Sequence, residues 1–366
     1  MGNCLVIGGG IIGLSLAYEL SQRGMAVTLV EQGEWGGQAS SAAAGMLAPL
    51  KEFSVPGPML SLGMESLHVY PDWVRGLEEA TGRDVQLARE GLLTVALEGE
   101  EEALAAKYKR QKEAGYDVHW LDGSEAREVE PLLTEQVTRA IYSPGEGHIN
   151  NRLLLQALVT ACHMQGVRLL SGCVVSKLAV SAGRVIGAET TAGPLRADRT
   201  VVCSGAWAGI MLDMLGVSMP VRPVRGQIAA VSSAGIPLRK VIFGSSGYVT
   251  PKKDGKIVIG ATEDDCGFQQ VVTLAGLANV LQGVMPYVPA LESAPFLEAW
   301  AGLRPATPDG KPLLGSVPGW EGLFLAGGHF RNGILLSPIT AIRMADLLEK
   351  GTDEPLRPFS PARFLQ

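Results

Sequence analysis

A chain of 366 residues, 46% of them hydrophobic, has room for one large or two ordinary domains and can bury about 75% of its unfolded surface without staples. Its 31 basic and 37 acidic side chains leave a net charge of −6; both signs are scattered, which excludes the clustered basic face of a nucleic-acid binder. The five cysteines are odd in number and lack any C-x-x-C spacing, and the glycine-broken apolar start has no basic segment before it, so reduced thiols and a cytoplasmic location are expected.

Residues 3–7 (NCLVI) read as a strand buried on both faces. A glycine turn follows, then a helix to Arg23 with Ile12, Leu16 and Leu20 four apart, then a second strand, Ala26 to Val30, ending at Glu31. The stretch GGQASSAAAGMLAP is too small and irregular for a regular element and is expected to run close to something large. Helices are predicted over 61–80, 99–115, 151–165 and 273–285. Strands at 167–170, 173–180, 184–190 and 195–202, punctuated by glycine turns, suggest a four-strand meander. Further strands are expected at 90–97, 116–120, 227–232, 247–250, 256–261 and 295–303. The apolar run Val201 to Val221 reads as strand, loop and short helix rather than a membrane span, because glycines and Pro220 interrupt it. The chain closes with a buried strand, LFLAGG, and a helix over 333–350, so both ends resemble halves of one α/β domain into which a second is inserted.

Gly8-Gly9-Gly10-Ile11-Ile12-Gly13 is a G-x-G-x-x-G between strand and helix. Gly8 permits the tight turn, Gly10 lets backbone approach a pyrophosphate, and Gly13 lets the helix pack on the strand. Glu31 lies 18 residues past Gly13, where a carboxylate accepts ribose hydroxyls and disfavours a 2′-phosphate. No third strand and helix follow directly, so FAD suits the chain better than NAD. A helix starting near Asn332 in GGHFRNGIL would aim free N–H groups at whatever lies there, and an anionic reduced flavin is one occupant while plain packing is the other reading. Arg304 sits among residues suited to burial and needs an anion, either a ligand carboxylate or an internal acid; Arg331 precedes the last helix, and Tyr248 could add a phenol or simply pack. There is no H-E-x-x-H, no G-x-S-x-G and no metal spacing among the five histidines, so hydrolase and metal chemistry lose ground.

Together VIGGGIIG, SSAAAGMLAP, VVCSGAWAG, PVRGQ, YVTPKKDGKIVIGAT, WAGLRPATPDGKPLLG and AGGHFRNGILLSP make the chain resemble the glycine oxidases of thiamine biosynthesis, within the D-amino-acid oxidase superfamily of FAD enzymes. That resemblance implies an α/β fold. A discontinuous Rossmann-like FAD domain (1–50, 145–220 and 315–366) would carry an inserted substrate domain (51–144 and 221–314) built on a large antiparallel sheet. By motif position it implies that Gly8, Gly10, Ile11, Ile12, Gly13, Glu31 and Gln32 hold the ADP half, and that Ala39, Ser40, Ala44, Gly45 and Met46 line the pyrophosphate and flavin. Val174 would touch the adenine side, and His329, Phe330, Arg331, Asn332, Gly333, Ile334 and Leu335 would wrap the isoalloxazine. Arg304 would bind the substrate carboxylate, helped by Tyr248 and Arg331, with no side-chain base and no metal. Glu263 stands where some relatives carry an apolar residue, and no cysteine follows Cys266, so the FAD is expected to be noncovalent. The resemblance further implies oxidation of glycine, sarcosine and small D-amino acids by hydride transfer, with oxygen giving hydrogen peroxide. The imine would hydrolyse to glyoxylate and ammonia or pass to thiazole synthase, and the assembly would be a homotetramer. A D-amino-acid dehydrogenase, another secondary-amine oxidase and a noncatalytic FAD-binding subunit stand as alternatives.

Overall fold

Cys4, Leu5, Val6 and Ile7 are all buried, so the first strand, Asn3–Ile7, has no solvent face and takes the centre of a sheet. This computed structural model describes residues 2–365. The sheet has six strands in the spatial order Leu313–Ser316, Leu323–Gly327, Arg199–Val202, Asn3–Ile7, Ala26–Val30 and Arg168–Leu170. All pairs are parallel except the edge pair of Leu313–Ser316 with Leu323–Gly327. The helices Ile11–Gln22, Asn151–Met164 and Gly333–Lys350 cover it, burying Leu16, Leu20, Leu158, Ile339 and Met344 in one core.

An eight-stranded sheet forms the second layer, in the order Phe296–Ala306, Arg222–Ser232, Lys256–Gly260, Tyr248–Pro251, Val241–Phe243, Leu92–Leu97, Val137–Ser143 and His119–Asp122. It is antiparallel apart from Val241–Phe243 against Leu92–Leu97. The fold is therefore mixed α/β, with a parallel sheet and a large antiparallel one. No helix among the described residues is long and apolar enough to cross a membrane.

Three expectations need correction. The meander has three strands, not four: Val175–Ser181, Arg184–Thr190 and Gly193–Arg196 pair together. Arg168–Leu170 instead extends the parallel sheet, and the expected strand 195–202 breaks at Asp198, which exchanges hydrogen bonds with Asn3 (2.9 and 2.8 Å). Beyond the break Thr200, Val201 and Val202 are fully buried, which suits the interior of a parallel sheet and not a half-exposed meander. Second, the helix Pro58–Thr81, expected within the substrate piece 51–144, packs Leu62, Leu67, Tyr70, Val74 and Leu77 into the core of the parallel-sheet side. Its Ser66 and Tyr70 hydroxyls donate to the carbonyls of Leu335 (2.5 Å) and Ile334 (3.0 Å). Third, the strands Val137–Ser143, Val241–Phe243 and Leu313–Ser316 lie outside the expected ones; the two shorter ones carry no periodicity to read.

A cleft between two layers

The carboxyl end of Asn3–Ile7 opens at Gly8, whose φ of +114° only glycine adopts without strain. Its N–H donates to the Val30 carbonyl (2.8 Å). The neighbouring Gly9 N–H donates to Glu31 Oε2 (2.7 Å) and Gly33 N–H to Glu31 Oε1 (2.8 Å), so both carboxylate oxygens are fixed by backbone. Among the described residues, the amides of Gly10 and Ile12 at the helix start have no internal acceptor. They face a cavity of ≈ 630 Å³ that Gly8, Ile11, Glu31 and Gln32 also line. Ser204 lines the same cavity, and its hydroxyl is buried without any partner. Gly13 does not line it; a Cβ there would strike the Gly8 carbonyl, so this glycine serves helix-on-turn packing.

Ala39, Ser40, Ala44, Gly45 and Met46 form the next part of the wall. Contacts far away in sequence hold them: the Lys252 ammonium donates to the carbonyls of Ala44 (2.6 Å) and Ile149 (3.0 Å), Trp300 Nε1 to Ala42 (2.9 Å), and Asn151 Nδ2 to Ser40 (2.7 Å). Ser40 Oγ in turn accepts from the Ile11 amide (2.9 Å). Burial pushes the Lys252 ammonium down to about 7. Sequence reading missed Lys252, Trp300 and Asn151 in this role; Lys252 lies in a polar turn and Asn151 at a helix start, where such residues are ordinary, so nothing local marks them.

Opposite lies a second helix start. Gly333–Lys350 begins after Asn332 with no side-chain cap, and the cavity is lined by His329, Phe330, Arg331, Asn332, Gly333 and Ile334. Phe330 has a φ of +50° and donates its N–H to the Pro305 carbonyl (2.9 Å), a strained conformation of the kind stored at functional sites. His329 is buried, with Nε2 at 3.0 Å from the Thr340 hydroxyl, and burial pushes it down to about 3, so the imidazole is neutral. Two positions differ from the expectation. Leu335 points into the core instead of the cleft, and the Val174 side chain is 43% exposed while its neighbours Cys173 and Val175 line the cavity.

At the far end the antiparallel sheet supplies the side chains. Tyr248 pairs with Gly260 across the strands, and Arg304 packs over Gly226, each ring or fork occupying the space a Cβ would need. Arg304 Nη1 donates to the Thr262 carbonyl (2.8 Å), and no carboxylate among the described residues pairs with it. Burial lowers the Arg304 guanidinium from its ordinary value and pushes the Tyr248 phenol up to about 12. Arg331 behaves otherwise. It lines the same cavity, yet its Nε bonds Glu52 Oε2 (2.5 Å) and its Nη1 bonds Glu263. The charge of Arg331 is thus already compensated by two acids, whereas that of Arg304 is not.

The model of the family DAO, FAD dependent oxidoreductase, matches residues 3–347. The chain belongs to that family. It is 38% identical over 365 residues to the glycine oxidase of Geobacillus kaustophilus, covering 98% of this chain and 96% of that protein. It is 37% identical over 356 residues to the bifunctional protein ThiO/ThiG of a Nostoc species, covering 96% of this chain and 53% of that one, so it spans about half of the two-part relative. The crystal structure of the Geobacillus kaustophilus glycine oxidase superposes with a TM-score of 0.95 at 37% identity, covering 100% and 99% of the two chains. That of an iminodiacetate oxidase from a Chelativorans species does so at 0.88 with 29% identity, over 98% and 99%. The family's cofactor, FAD, is therefore this chain's. The residues present fit it: an orphaned, buried Ser204 hydroxyl, free amides at two helix starts and a carboxylate past the glycine turn suit a diphosphate-bridged dinucleotide.

Proposed function

We propose that this chain is an oxidase of glycine and similarly small amines. The observation that carries the reading is Arg304, a half-buried guanidinium without an acidic partner among the described residues, standing with Tyr248 at one end of a cleft whose other end is the dinucleotide turn. The reading is supported by the glycine oxidases to which the whole chain is similar.

The ADP half would rest on Gly8 to Gly13, Glu31 and Gln32, and the flavin between the wall 39–46 and the helix start at Asn332. When bound, FAD supplies the hydride acceptor for an amino-acid Cα–H, and oxygen restores it with release of hydrogen peroxide. Arg304 receives the substrate carboxylate through its free N–H groups, and the Tyr248 hydroxyl, protonated at physiological pH, donates to the same group. These two anchors fix where Cα lies, which is the main service asked of the protein. His329 stays neutral and bonded to Thr340, so it does not act as the base. A substrate amine that enters deprotonated needs none. The imino acid then hydrolyses to glyoxylate and ammonia or is captured by thiazole synthase, a partner suggested by the ThiO/ThiG fusions. The proposal extends to the family expectations of a cytoplasmic homotetramer with noncovalent FAD.

Anaerobic flavin bleaching across glycine, sarcosine, D-alanine and D-proline tests the substrate class, and peroxide formed per oxygen consumed tests oxidase against dehydrogenase. No bleaching by any of the four overturns the reading.

A further inference from the structure

Arg331 and Arg304 both lie against the Phe330 ring, 5.4 and 6.0 Å from its centre, so two guanidinium groups share one end of the cleft. Only one is free. Of the five N–H donors of Arg331, Glu52 takes the one on Nε and Glu263 takes one on Nη1, so a carboxylate seeking two parallel bonds from that fork competes with an acid already bound there. Two carboxylates on one guanidinium also leave a net negative charge, which repels a further anion.

Both acids are held in place. Glu52 ends the short helix Pro49–Glu52, whose Leu50 amide donates to the buried Glu146 carboxylate (2.6 Å). Glu263 sits between Thr262, whose carbonyl accepts from Arg304, and Asp264. Asp264 Oδ2 is fixed by Arg225 Nε (3.1 Å), Gln227 Nε2 (2.8 Å) and the Thr262 hydroxyl (2.9 Å). The bridge thus joins two anchored segments across the mouth of the cleft.

We infer that the Glu52–Arg331–Glu263 bridge determines specificity: it withholds Arg331 from substrate, so the site accepts amines with one carboxylate on Arg304 and rejects amines with two. Removing one acid would convert Arg331 into a second carboxylate receptor. This rests on the oxidase reading above. Iminodiacetate is the natural probe, because it is a small secondary amine with a carboxylate at each end.

The test uses holoenzyme with its full flavin content, in the wild type, Glu263→Gln, Glu52→Gln and the double variant Glu263→Gln with Arg331→Met. Binding is read by calorimetry with glutarate, the carbon isostere of iminodiacetate, against butyrate, which lacks its second carboxylate. Turnover is read as kcat/KM for iminodiacetate over that for glycine. In Glu263→Gln the glutarate preference and the turnover ratio should both rise by about tenfold, as a regained charge-assisted bond allows. Arg331→Met in the same chain should cancel both gains. Ratios that stay at the wild-type values, or that rise equally without Arg331, overturn the inference. If no amine is oxidised by the wild type while the glutarate preference still moves, the oxidase reading fails and the binding role of the bridge stands.

Discussion

The two ends of the cleft are built from different materials. At the dinucleotide end the lining includes a glycine turn and a helix start with free backbone amides, and Gly8, Gly10, Ile11, Ile12, Glu31 and Gln32 come from one strand, turn, helix and strand. At the substrate end they are side chains: Glu52, Tyr248, Glu263, Arg304 and Arg331 arrive from five separate segments. A backbone site tolerates almost no change at its glycines and little chemical tuning. A side-chain site can change specificity one residue at a time.

Breaking the backbone end should have the largest effect. Gly8→Val places a branched side chain at φ +114° against the Cys203 carbonyl, a cost of about 3 kcal/mol or more; the purified protein should contain no flavin, read from the ratio of flavin to protein absorbance. At the other end Arg304→Ala should keep its FAD and raise KM for glycine by about 100-fold, since a charge-assisted bidentate pair is lost. Glu31→Gln removes the charge that fixes the Gly9 and Gly33 amides and should weaken FAD binding by about tenfold in a dialysis titration. Tyr248→Phe, which keeps the ring and deletes one hydroxyl, should raise KM for glycine about five- to tenfold with the flavin content unchanged.

Apart from ligand binding at either end, a pH dependence of stability is expected. Burial holds His329 down at about 3, so the folded protein refuses a proton that the unfolded chain accepts below ~6.5. Its contribution to stability is complete above ~6.5 and is lost at about 1.4 kcal/mol per pH unit as the pH falls from there toward 3. In His329→Gln the decline of unfolding free energy between pH 6.5 and 5 should be shallower by that amount, measured by urea denaturation.

The same division explains what could be read from the sequence. Asn3–Ile7, Ile11–Gln22 and Ala26–Val30 declare themselves because pairing, turn and packing all involve near neighbours, and Gly333–Lys350 because a long apolar period follows a glycine turn. At the substrate end Arg304, Arg331 and Tyr248 stand out in the sequence, but each keeps a plain packing or ion-pair alternative there, and only family resemblance assigns them to a substrate carboxylate. Nothing local in WAGLRPA says that Arg304 lacks an acid, and nothing in HFRNG says that Arg331 has two; that difference depends on partners 279 and 68 residues from Arg331. The lock of Lys252 onto Ala44 spans 208 residues and was equally invisible. Where the meander was misjudged, the missing information was which faces of Arg199–Val202 are buried, a property of the neighbouring strands.

In the proposed function, Arg304 anchors a small amino acid beside the flavin. Anaerobic titration of flavin reduction by glycine, in the wild type and in Arg304→Ala of equal flavin content, tests it most directly. Complete bleaching of the wild type is expected, with a half-saturating glycine concentration about 100-fold higher in the variant. Equal half-saturation in the two proteins, or a wild-type flavin that glycine does not bleach, would contradict it.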